Sequence, residues 1–126
     1  MDILVTNNPL AGKQFLGLLK VDFTGSSLSD VMIRVRDYIH GGHALLTHPL
    51  TGGIKPNDTP YKSVLVSGER GKIDEQSIRI IEECVLISRR TQSKQIPEHL
   101  LSDMQTVDLS LIQAAIGKHL VLSGDS

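Results

Sequence analysis

Short apolar runs alternate along this chain with longer segments in which apolar residues recur every three or four positions. Four runs are too short for helices, and we predict β-strands at residues 3–6, 18–23, 44–47 and 63–67. The first run, ILVT, is apolar at consecutive positions. This pattern is typical of a strand that is buried on both faces, as in parallel sheets covered by helices.

Helical periodicity is clearest at residues 28–40, where apolar side chains fall on the i, i+3, i+4, i+7 template. Ser27 provides a capping residue just before this segment. A second long helix is predicted at residues 75–90, with Asp74 as its N-cap. Its apolar face is wide, which implies contact on more than one side.

Two further helical segments are predicted from proline and cap positions. Asn8 followed by proline predicts a short helix or turn at residues 9–16. Pro97 opens a final helical region. This region is either one helix or two, with Asp108 as the cap of the second.

The order of these elements predicts a single α/β domain over residues 1–126. We expect a mainly parallel four-stranded sheet flanked by helices, with a C-terminal helical region. Ligands of such sheets bind beyond the carboxyl ends of the strands. We expect the strands that end at Thr6 and Thr47 to be neighbours, so that Asn7 and His48 share one edge.

Charge and composition exclude several classes of function. Thirteen Lys and Arg against fourteen Asp and Glu give a net charge of −1, so no large positive field attracts nucleic acid or anionic membrane. Two Phe, two Tyr and no Trp leave few platforms for stacking nucleic-acid bases. The single cysteine, Cys84, lies on an apolar helical stripe and is interpreted as a buried small hydrophobe. With no leader or membrane-length segment in the sequence, we expect a soluble, cytoplasmic protein.

The longest loop, residues 48–62, is the strongest candidate for a functional site. Pro49, Pro56 and Pro60 restrict its backbone, and loops of this length in small domains are usually functional. Lysine ammonium groups and glycine amides in such a loop favour anions. The candidate ligand-binding residues are Asn7, Asn8, His48, Gly52, Gly53, Lys55, Asn57, Tyr61 and Lys62.

Structural alternatives exist for most of these residues. Asn8 is better explained as a helix cap than as a ligand contact, whereas Asn7 stays open. His48 is the one candidate acid or base. His40 and His43 do not converge with it at metal-ligand spacing, so no metal and no cofactor are predicted. A phosphate-loop signature and a Ser-His-Asp pattern are also absent from the sequence.

Several strings resemble one known family. They are VTNNP at residues 5–9, RDYIHGGH at 36–43, the loop string HALLTHPLTGGIKPNDTPYKSV at 43–64, RIIEE at 79–83 and VDLSLI at 107–112. Together they resemble the GrdX family, small proteins found beside the glycine, sarcosine and betaine reductase genes of amino-acid-fermenting anaerobic bacteria. The resemblance implies that cellular setting but provides no catalytic residues to map. Because Cys84 is the only cysteine, a redox role in the reductase is not expected.

Three functions follow as hypotheses. The first is an accessory or regulatory protein of glycine reductase-type metabolism that binds a small anionic metabolite, or a reductase-associated protein, through the 48–62 loop. The second is a small enzyme for a carboxylated or phosphorylated substrate, with His48 as acid or base and Lys55 or Lys62 beside it. The third is a homo-oligomeric module that uses the loop and the apolar face of residues 78–87.

Overall fold

A computed structural model describes residues 1–50, 60–90 and 96–122, with only the backbone of residues 90 and 120–122. The elements in chain order are β1 (Ile3–Thr6), α1 (Pro9–Gln14), β2 (Lys20–Phe23), α2 (Leu28–His40), β3 (Ser63–Val66), α3 (Glu75–Arg90) and α4 (Glu98–Leu122). The mixed α/β class and the helices predicted near 9–16, 28–40 and 75–90 are confirmed. The C-terminal region is one continuous helix, so Asp108 does not cap a second one.

The sheet differs from the prediction in strand number and direction. Within the described residues it has three strands in the order β2-β1-β3, and not four. β1 pairs with β2 in parallel and with β3 in antiparallel orientation, so the expectation of a mainly parallel sheet is wrong. α2 lies between β2 and β3, and β3 joins the sheet on the other side of β1, where it runs antiparallel to β1.

The predicted strand at residues 44–47 is not a strand. It contributes only a single antiparallel bridge, between Leu45 and Val66. The Thr47 hydroxyl accepts a hydrogen bond from the Leu65 amide at 2.9 Å, a place that a backbone carbonyl would occupy in a regular ladder. This segment lies beside β3, so the prediction that it is a neighbour of β1 is wrong.

Alternating side chains of β1 and β3 serve two separate cores. Ile3, Val5, Val64 and Val66 face α2 and α3, and all four are buried. On the other face, a smaller cluster joins Leu4 and Leu65 to Ile112 of α4. Both faces of the two strands are therefore covered, which explains why their apolar runs do not alternate with polar residues.

The turn after α2 requires a glycine. Gly42 has a φ of +102°, and a Cβ atom there would lie 2.6 Å from the carbonyl oxygen of Gly71. The two backbones can approach this closely only because position 42 carries no side chain. In the part of the chain that the structure describes, no helix has the length and apolar character needed to cross a membrane.

Candidate functional site

Asn7, predicted as a ligand contact, is a buried clamp between three segments. Its Nδ2 donates to the carbonyl oxygens of Ser26 at 3.0 Å and Pro60 at 2.8 Å. Its Oδ1 accepts from the amide of Lys62 at 2.9 Å. The side chain is 6% exposed, so these bonds are shielded from water. Asn7 therefore fixes where the chain leaves the 48–62 loop and enters β3.

Asn8 caps α1, as the sequence predicted. It also bonds to α4, which the sequence did not predict. Its Oδ1 accepts from the amide of Leu10 at 3.0 Å, which satisfies a donor in the first turn of α1. Its Nδ2 donates to the Gln105 carbonyl and to Asp108 Oδ2, both at 2.9 Å. One fully buried side chain thus joins the start of α1 to the middle of α4.

Hydroxyl groups at the end of the sheet close a ring of hydrogen bonds with Asn8 and Asp108. The amide of Asn8 donates to Thr6 Oγ1 at 3.0 Å. Thr6 Oγ1 lies 2.7 Å from Ser63 Oγ, and Ser63 Oγ donates to Asp108 Oδ2 at 2.7 Å. Since Ser63 gives its proton to Asp108, the Thr6 hydroxyl donates to Ser63. We call Thr6, Asn8, Ser63 and Asp108 the polar ring.

Every member of the polar ring is buried, with Asp108 6% exposed. Within the described residues, no buried side-chain nitrogen or oxygen lacks a hydrogen-bond partner. Satisfied networks of this kind are stabilising and rigid, whereas a half-satisfied one is costly. The arrangement supports a structural role for these four residues, because their donors and acceptors are engaged with each other.

Lys62 lies immediately beside the polar ring and is 3% exposed. Lys62 directly precedes β3, and the alternation of that strand assigns it to the same sheet face as Val64 and Val66, toward α3. Burial lowers the pKa of the Lys62 ammonium below its ordinary value of 10.5, and the charge of Asp108 acts in the opposite direction. Cys84 of α3 is close enough to interact with the same group electrostatically. A buried lysine is rare among protein side chains.

Two other predicted site residues lie at the described ends of the loop. Tyr61 is partly buried, and its hydroxyl accepts from Gln105 Nε2 at 3.0 Å. His48 is exposed, and its Nδ1 accepts from the amide of Leu50 at 3.0 Å, which makes a local turn. The predicted candidates Gly52, Gly53, Lys55 and Asn57 lie outside the described residues.

Four contributors to this site were not predicted from the sequence: Thr6, Ser63, Gln105 and Asp108. One signal was present: Asp108 is a charged residue in the otherwise apolar series Leu101, Met104, Asp108, Leu111, Ala115 of the last helix. A carboxylate at such a position needs a buried partner. Among the described residues, no three His, Cys, Asp or Glu side chains are grouped so that they could hold a metal ion.

Comparison with known protein families identifies one whose model matches this chain. A model of the family described as GrdX-like protein matches residues 3–117. Searches of curated proteins and of solved structures each gave no match. The family match spans all three strands and reaches into the last turns of α4. The chain therefore belongs to the GrdX-like protein family.

Proposed function

We propose that this protein is an accessory or regulatory protein of glycine, sarcosine or betaine reductase metabolism that binds a small carboxylate or phosphate at Lys62. The family assignment supports the metabolic setting through the association that its name carries. The observation that carries the ligand class is the burial of a lysine, 3% exposed, where the 48–62 loop joins the sheet.

Burial of an ammonium group is unfavourable, and the lowered pKa of Lys62 reflects this cost. A carboxylate or phosphate next to the group would stabilise its charged form and offset part of the desolvation. Short metabolites that carry such a group are small enough to be held at one lysine side chain. The negative charge of Asp108 already acts on the same ammonium group, so the ligand would add to that interaction.

The position of Lys62 is fixed independently of any ligand. Its amide donates to Asn7 Oδ1 at 2.9 Å, and its carbonyl accepts from the amide of Asn7 at 3.3 Å. This two-bond pairing holds the lysine backbone against the end of β1. A group held in this way loses little conformational entropy when a ligand binds, which favours affinity.

The other two hypotheses receive less support from the geometry. His48 Nδ1 accepts from the amide of Leu50 in a local turn, so one of its two ring nitrogens is already engaged. On α3, Ile81, Cys84 and Val85 are buried against the other elements of the same chain, so most of the wide apolar face is already covered. The oligomer hypothesis would need a different surface.

Calorimetric titration with glycine, acetate, acetyl phosphate and inorganic phosphate tests the proposal. Lys62→Met keeps most of the aliphatic volume and removes the charge, and we expect it to weaken binding roughly ten- to a hundredfold. Lys72→Met, at an exposed lysine in the loop before α3, is the matched control and should bind as the wild type does. The proposal fails if the wild type binds none of the four probes, or if Lys62→Met binds them equally well.

A further inference from the structure

The outer edge of the sheet at β2 is open in the described part of the chain, and its backbone groups are available. β2 is the terminal strand in the order β2-β1-β3. The amides of Lys20 and Thr24 donate to β1, at Asp2 and Thr6, both at 2.9 Å. Because backbone groups alternate in direction along a strand, the N–H and C=O of Val21 and Phe23 point away from β1.

Large apolar side chains are exposed beside this edge. Leu16 is 75% exposed, Leu18 is 69% exposed and Phe23 is 47% exposed. Leu16 and Leu18 lie in the turn that leads into β2, and Phe23 is its last residue. An open strand edge with adjacent exposed apolar side chains is a surface that favours pairing with another strand.

We propose that β2 pairs in antiparallel orientation with β2 of a second copy of this chain, with a two-fold axis at Val21. The two three-stranded sheets then form one continuous six-stranded sheet. Val21 of each copy exchanges both backbone hydrogen bonds with Val21 of the other. Phe23 lies opposite Leu19 of the second copy, on the face that already carries apolar side chains.

Charge complementarity selects the second copy as the occupant and sets the register. With the axis at Val21, Lys20 of each copy lies opposite Asp22 of the other, in the non-hydrogen-bonded pair where Cα atoms are about 4.5 Å apart. Shifting the register by two residues would place Asp22 opposite Asp22, which is repulsive. Lysine on an edge strand disfavours pairing with most strands. In this dimer, each of the two Lys20 side chains lies opposite an Asp22 carboxylate of the other copy.

The Asp22 carboxylate of this charge pair is already ion-paired within its own chain, so Lys20 of the second copy adds to that ion pair. Asp22 faces α2, where its Oδ1 accepts from Arg34 Nη1 and its Oδ2 accepts from the Tyr38 hydroxyl, each at 2.6 Å. Lys20 lies two residues away on the same face of the strand and is exposed. The carboxylate is therefore held in a fixed orientation before the lysine of the second copy approaches.

Sedimentation of the full chain over a range of concentrations tests this proposal. We expect a monomer–dimer equilibrium in the wild type. Lys20→Asp replaces two attractive pairs with two repulsive ones, and we expect it to raise the dimer dissociation constant roughly ten- to a hundredfold. Lys13→Asp makes the same charge change on an exposed residue of α1 and should leave the dimer unchanged.

A mixture of two variants makes the test specific to the register. Lys20→Asp mixed with Asp22→Lys places opposite charges across the axis again, so we expect a heterodimer from two chains that are separately monomeric. Amide exchange provides a second measurement if Asp22→Lys does not fold. The amides of Val21 and Phe23 should exchange more slowly as wild-type concentration rises, and rapidly at every concentration in Lys20→Asp.

Three results would overturn the proposal. They are a wild type that stays monomeric at every concentration, a Lys20→Asp dimer as stable as that of Lys13→Asp, and exchange of the Val21 and Phe23 amides that does not depend on concentration.

Discussion

Ser63 Oγ donates a hydrogen bond of 2.7 Å to Asp108 Oδ2, which joins the first residue of β3 to the middle of α4 across 45 positions of sequence. The same carboxylate oxygen accepts from Asn8 at 2.9 Å. Asn8, which follows β1, and Ser63 of β3 therefore donate to one buried acceptor on the C-terminal helix. This arrangement ties α4 to the end of the sheet by directional bonds as well as by apolar packing.

Asp108→Ala should destabilise the protein by about 3 kcal/mol or more, because two hydrogen bonds to a buried charge are lost and two donors remain unsatisfied. Denaturant unfolding measures the change. Asp103→Ala is the matched control on an exposed position of α4, where we expect a change within about 0.5 kcal/mol. Equal effects of the two substitutions would contradict the role assigned to the polar ring.

Asn7→Ala should lower the free energy of unfolding by about 2 to 3 kcal/mol, and any loss of anion affinity should accompany that destabilisation. The physical reason is that the buried Asn7 side chain makes three hydrogen bonds, which hold Ser26, Pro60 and Lys62. Thermal unfolding and calorimetric titration of the same preparation separate the two effects. A variant that melts like the wild type but fails to bind would support the interpretation of Asn7 as a ligand contact.

Gly42→Ala should destabilise the protein by about 1 to 3 kcal/mol, because position 42 has a positive φ and faces the Gly71 carbonyl. Gly12→Ala is the informative contrast. A Cβ at position 12 would lie 3.7 Å from Phe23, in ordinary contact, and alanine favours the helix by about 0.5 to 1 kcal/mol. Opposite shifts of the two unfolding midpoints are expected, and shifts of the same sign would contradict this account.

Burial raises the pKa of the Cys84 thiol from 9.0 to about 11. Native protein should therefore react slowly with thiol reagents at neutral pH. Because the folded pKa exceeds the unfolded one, the thiol contributes stability that is present below about pH 9 and is lost as the pH rises to about 11. The lowered pKa of Lys62 changes stability with pH in the opposite direction. The contribution of the thiol is therefore measured as the difference in unfolding free energy between wild type and Cys84→Ala.

The difference in unfolding free energy between wild type and Cys84→Ala should change by up to about 2 to 3 kcal/mol between pH 8 and pH 11. The wild type should lose stability relative to the variant. Unfolding by denaturant at several pH values measures it. A difference that stays constant over this range, or rapid labelling of native Cys84, would show that the thiol is accessible to solvent.

Local features of the fold were predictable from the sequence, and long-range pairings were not. The helix at residues 75–90 was predicted with its observed bounds, because its apolar periodicity and the preceding aspartate are encoded within a few turns. The direction of β3 depends on the path of the chain between α2 and Ser63, which periodicity does not report. Residues 44–47 have the composition of a strand, but the Thr47 hydroxyl replaces a ladder bond.

In the candidate site, too, local features were predictable from the sequence and long-range contacts were not. The cap role of Asn8 was predictable because it depends on the next two residues, whereas its bond to Asp108 spans 100 positions of sequence. Asn7 was interpreted as open to a ligand because its partners, Ser26, Pro60 and Lys62, come together only when the sheet forms. Burial of Lys62 likewise depends on where α3 packs.

Titration of the Lys62 side chain by NMR, with and without an anion, tests the central claim most directly. Lysine labelled with ¹³C, with Lys62→Met used for assignment, reports the pKa of each ammonium group. We expect Lys62 to titrate below 10.5 in the free protein. Saturation with the acetate, glycine or phosphate probe that binds should raise that pKa, because a neighbouring anion stabilises the charged form. A Lys62 pKa that no probe changes would contradict the proposed anion site.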